Sequence, residues 1–115
     1  MRPSLVDSLK SRYKKISSEV LLEIIETFLH ESSTLVAQIG RGIKEEDFSK
    51  VAHAAHTLKS SSALLGATSF SRLCEEIETM ALAGDSLKAK QVGAQIQLEY
   101  SRLHASLEEE IKNSS

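Results

Sequence analysis

Apolar residues recur at steps of three and four along most of this chain, and after Pro3 no proline interrupts them. A proline inside a helix removes a hydrogen bond and clashes with the preceding turn, so its absence leaves long helices open to the whole sequence. Val20, Leu21, Ile24, Ile25, Phe28, Leu29, Val36 and Ile39 keep the rhythm, with Glu23, Glu26 and Glu31 between them. That spacing predicts an amphipathic helix from about Ser18 to Ile43. Asp47 suits an N-cap and Gly66 the residue that closes a helix, and between them Phe48, Val51, Ala55, Leu58, Ser62 and Leu65 form a second inner stripe. Thr68 is expected to cap a third helix with Phe70, Leu73, Cys74, Ile77 and Ala81 inside. Gly84 would end it, and Asp85 would cap a fourth helix lined by Leu87, Val92, Ile96, Tyr100, Leu103 and Leu107. Upstream, Leu5, Val6, Leu9 and Tyr13 predict a short extra N-terminal helix over one end, and Asn113-Ser114-Ser115 reads as a fraying tail. No segment alternates with period two. The expected fold is all-α: an antiparallel up-down-up-down four-helix bundle with a short extra N-terminal helix, in a single domain over residues 1–115.

Composition narrows the function. With 14 Lys+Arg against 16 Asp+Glu there is no basic excess to hold a phosphate backbone, and 4% aromatic residues offer few stacking platforms, so nucleic acid is excluded as a partner. Cys74 is the only cysteine, which rules out an internal disulfide and suits a reducing compartment; within the inner stripe it reads as core. No stretch approaches the roughly 18 uninterrupted apolar residues of a membrane span. Met1-Arg2-Pro3-Ser4 leads into charged sequence and not into an apolar signal core, so a cytoplasmic protein without membrane insertion is expected. A monomer is expected as well.

One segment carries chemistry: His53-Ala54-Ala55-His56-Thr57-Leu58-Lys59-Ser60-Ser61-Ser62-Ala63-Leu64-Leu65-Gly66-Ala67. At about 100° per residue, His56 falls roughly 140° from the centre of the inner stripe and faces solvent. Its helical neighbours are Ala52, His53, Lys59, Ser60 and Ala63, most of them small, so an imidazole there is open to another protein. Histidine side chains ordinarily titrate near pH ~6.5, which makes a neutral, nucleophilic ring nitrogen available near neutrality. Lys59, one turn on, supplies a cation for a phosphoryl group, and Ala52 and Ala63 are expected inside a small apolar docking patch.

This segment closely resembles the signature of the histidine-containing phosphotransfer (HPt) domains, approximately A-H-x-L-K-G-S-S-x-x-L-G-A followed by a helix ending in C-x-x-L-E. The matching residues are Ala55-His56-Thr57-Leu58-Lys59, Ser61-Ser62, Leu65-Gly66-Ala67 and, later, Cys74 with Ile77-Glu78. The resemblance implies a four-helix bundle whose second helix exposes His56 as the phosphorylated residue. His56 would then accept a phosphoryl group from the aspartate of a response-regulator receiver domain and pass it to another receiver, in a relay fed by a hybrid sensor histidine kinase. It implies a phosphocarrier and not an enzyme, with no cofactor of its own; Mg²⁺ and the acidic pocket come with the receiver. Two positions depart from the family pattern. Ser60 stands where the family usually has Gly, which narrows the space beside the imidazole. Glu78 stands where the residue that hydrogen-bonds the ring is often Gln; its carboxylate would hold Nδ1–H and leave Nε2 to attack.

Three other readings compete. His53 and His56 could begin a metal site, but three or four ligands are needed and no paired Glu-x-x-His motif accompanies them, so no metal is expected. His30 and His104 are isolated, and Glu108-Glu109-Glu110 reads as a solvated helix end. A histidine kinase dimerisation domain would need a following ATP-binding domain with glycine-rich boxes, absent here. The remaining alternative is a helical-bundle scaffold in which His56 carries no phosphate.

Overall fold

The computed structural model describes residues 17–114. The N-terminal helix expected at Leu5 to Tyr13 lies outside them. Four helices and no strand occur among the described residues: α1 (Ser18–Lys44), α2 (Phe48–Leu65), α3 (Thr68–Leu82) and α4 (Ser86–Ser114). None is long and apolar enough to cross a membrane.

Each boundary has a local cause. Ser17 caps α1 by accepting from the Val20 amide at 3.3 Å, with Glu19 in the first turn and Arg41 and Lys44 in the last, charges that oppose the helix dipole. Asp47 caps α2 by accepting from the Lys50 amide at 3.2 Å. At the other end Gly66 takes φ 90°, left-handed backbone that costs glycine little, while the Ala67 amide returns to the Ser62 carbonyl at 2.9 Å. The third start differs from expectation. Ala67, not Thr68, occupies the cap position, because the tight turn at Gly66 already lets the Ala67 carbonyl accept from the Ser71 amide at 2.9 Å; the Ala67 side chain makes no capping bond. Gly84, at φ 70°, precedes Asp85, whose carboxylate accepts from the Lys88 amide at 3.1 Å and starts α4.

The helices close a ring, α1 on α2, α2 on α3, α3 on α4 and α4 on α1. Val36, Ile39, Val51, Ala55, Leu58, Phe70, Cys74, Ile77 and Ile96 form the larger core cluster; Leu21, Ile25, Phe28, Leu65 and Leu107 form a second. Burial pushes the Cys74 thiol up to about 12, so it is a neutral packing group at physiological pH. Tyr100 ties α4 to α1: its hydroxyl lies 2.7 Å from Ser32 Oγ and 2.9 Å from Ser33 Oγ.

Three residues expected inside are exposed: Val20 at 43%, Ile24 at 37% and Leu87 at 69%. The buried line of α1 runs through Leu21, Ile25, Phe28, Ser32, Val36, Ile39 and Gly42, so Val20 and Ile24 each sit one residue, about 100°, off it. In α4 the line passes through Ala89 and Gly93, which displaces Leu87 outward. Gly93 lies so close to α1 that an added Cβ would fall 2.6 Å from Ile43 Cδ1.

Candidate functional site

The packing of α2 decides what it presents. Val51, Ala52, Ala54, Ala55, Leu58, Ser62 and Leu65 are buried, and His56, opposite them, keeps 63% of its side chain exposed. Ala52 corrects the sequence reading: it is 7% exposed and belongs to the core, because α1 and α3 flank α2 on both sides and widen the covered arc beyond a single stripe. Ala63 is exposed.

Helix α3 delivers the second half of the site. Cys74 and Ile77 anchor it in the core, and Glu78, next to Ile77, emerges at the seam with α2, where its side chain is 17% exposed. Its two oxygens divide their work. Oε2 lies 2.8 Å from His56 Nδ1, and Oε1 accepts from Lys59 Nζ at 2.8 Å. The lysine favours the charged carboxylate and holds Glu78 below the usual carboxylate range; partial burial opposes this and the bond from His56 assists. Reciprocally, the bond to Glu78 raises the Lys59 ammonium above its ordinary value against desolvation, with further help from the Glu78 and Glu75 charges. Both groups are therefore ionised at neutral pH.

An ionised carboxylate can only accept, so the bond to Glu78 puts the imidazole proton on Nδ1. In the neutral ring the lone pair then lies on Nε2. A nucleophilic nitrogen on an exposed ring, a fixed tautomer and a cation one turn away form an arrangement able to take and release a phosphoryl group.

Ser60 lies one turn after His56. Its hydroxyl donates back to the His56 carbonyl at 3.3 Å, as Ser61 does to Thr57 at 3.1 Å, so it folds onto its own helix instead of toward the ring. Ser71 was not singled out in the sequence. It donates to the Lys59 carbonyl at 2.9 Å and so joins α3 to α2 beside the site. The available signal was its place two turns before Glu78, on the same face of α3. His53 is exposed, and no group of three or more metal-ligating side chains occurs among the described residues. His104 pairs with Glu108 within α4.

Comparison with known proteins agrees with the architecture. The crystal structure of histidine-containing phosphotransfer protein B (HptB) from Pseudomonas aeruginosa PAO1 has a similar fold, with a TM-score of 0.82 at 20% sequence identity, over 95% of this chain and 91% of that one. No curated protein sequence matches. The model of the Hpt domain matches residues 23–109, which contain most of the core and the whole His56–Lys59–Glu78 cluster. Spanning well over half of the chain, that match shows that the protein belongs to the Hpt domain family, the histidine phosphotransfer modules of two-component phosphorelays.

Proposed function

We propose that this protein is a cytoplasmic phosphocarrier in which His56 receives a phosphoryl group from a receiver-domain aspartate and hands it to a second receiver. The observation that carries the reading is the Glu78 bond at His56 Nδ1, 2.8 Å long, on a ring that is otherwise largely exposed. The Nε2 lone pair attacks phosphorus of the aspartyl phosphate. An N–P bond forms, the acyl O–P bond breaks, and the aspartate leaves as carboxylate. The Nδ1 proton stays in its bond to Glu78, which keeps the ring oriented through the transfer. Transfer onward is the same step reversed on another receiver, which brings its own Mg²⁺. Lys59 offsets the charge of the phosphoryl group, and Ser60 leaves room beside the ring because its hydroxyl is turned away. The short connections at 45–47, 66–67 and 83–85 support an antiparallel up-down-up-down order of the helices.

Incubation with a phosphorylated receiver tests this. Wild type and His53→Ala should take up acid-labile, base-stable phosphate, and His56→Gln should take up none. Label retained by His56→Gln would end the reading; no label on wild type would leave a scaffold.

A further inference from the structure

Glu78 holds both His56 and Lys59, and once the ring is phosphorylated it competes with the phosphoryl group for the lysine. The inference rests on phosphorylation of His56 at Nε2. A phosphoryl group there carries between one and two negative charges at neutral pH. Lys59 then has two anionic claimants. Glu78 already holds the ammonium at 2.8 Å, and it is itself fixed by the second bond to His56. It is also the less solvated of the two, with 17% of its side chain exposed, whereas the phosphoryl group would project from a ring that is 63% exposed. Attraction across water is weaker than attraction at a partly covered seam. Glu75, whose charge also acts on Lys59, adds to the pull on the same side.

We infer that Glu78 is an internal competitor for Lys59, so that this protein binds its phosphoryl group loosely and yields it readily to a receiver. The carboxylate orients the ring for attack and at the same time limits how far Lys59 can offset the charge of the product. Its own charge repels the phosphoryl oxygens as well. The same residue therefore favours the reaction at Nε2 and limits the lifetime of what is formed there.

Glu78→Gln separates the two effects. A glutamine carbonyl still accepts from Nδ1–H, but it neither holds the ammonium strongly nor repels phosphate. The measurement is the equilibrium between one phosphorylated receiver and this protein, read as the ratio of phosphohistidine to phosphoaspartate at low and moderate salt. ¹⁵N spectra of the imidazole in each protein report whether the proton remains on Nδ1. With the tautomer retained, Glu78→Gln should shift the ratio toward phosphohistidine by about three- to ten-fold, the range of a partly screened charge interaction. The gap from wild type should narrow as salt rises, since screening weakens a charge effect but not a purely structural one. A ratio unchanged, shifted toward the receiver, or displaced equally at both salt concentrations would overturn the inference, as would loss of the Nδ1–H form with no gain of phosphohistidine. Labelled wild type with any of these results leaves the phosphocarrier reading standing, whereas unlabelled wild type removes the reading itself.

Discussion

His56 and Leu58 are two residues apart on one helix and do opposite work. His56 lies off the packed face with 63% of its side chain in solvent, whereas Leu58 is fully buried among the central side chains. His56→Gln should therefore change stability by no more than about 0.5 kcal/mol, the usual range for surface substitutions. Leu58→Ala should cost about 2–5 kcal/mol through lost burial and the cavity left behind. Thermal or urea unfolding of both variants checks this, and similar midpoints would mean that α2 is rotated. The direction of His56 was legible in the sequence because the phase of a helix follows from the positions of Val51, Leu58 and Leu65 alone. The burial of Ala52 was not. Phase gives the centre of the covered face, while its width depends on how closely α1 and α3 approach. Ser71 was hidden for a related reason: a hydroxyl that donates to the carbonyl of Lys59 on another helix leaves no periodic trace.

Except at the start of α3, where Ala67 and not Thr68 holds the cap position, the interhelical ends were legible, since a cap acts within its own turn. Asp47 and Asp85 accept from amides three residues on, and Gly66 and Gly84 adopt positive φ, which the lack of a Cβ allows. Inner stripes were harder to place wherever they run through small residues, which contribute little hydrophobicity but permit close approach. Gly42 and Gly93 show the difference between two such approaches. A Cβ on Gly42 would meet Val51 Cγ2 at 2.7 Å and the Asp47 carbonyl at 3.2 Å, a stiff branched side chain and main chain that cannot easily yield. On Gly93 the nearest atom is the far end of Ile43, which can rotate away. Alanine is favoured over glycine in a helix interior by about 0.8–1 kcal/mol. Gly93→Ala is thus expected to be neutral or slightly stabilising, and Gly42→Ala to be destabilised by about 1–3 kcal/mol through overpacking. Chemical denaturation of the pair decides the point, and equal effects would show that the α1–α2 and α1–α4 contacts do not differ in this way.

For the whole molecule, the bundle acts as a rigid mount that brings residues of two helices to one exposed seam. In the proposed relay a receiver has to reach that seam, and weak, transient interfaces are small. With Ala52 buried, the docking surface expected around His56 reduces to the exposed side of α2, where Ala63 lies two turns beyond the histidine. Ala63→Arg should weaken receiver binding, by about ten-fold or more in Kd, while circular dichroism stays that of wild type; unaltered binding would place the interface elsewhere. In the proposed relay the chemistry falls on a single atom, Nε2 of His56, left free by the Glu78 bond at Nδ1. The most direct measurement is ³¹P–¹⁵N correlation spectroscopy on ¹⁵N-labelled protein phosphorylated by a receiver. A phosphorus coupled to His56 Nε2, with Nδ1 protonated and bonded to Glu78, is the predicted result; phosphorus on Nδ1, or on the ring of another histidine, would contradict it.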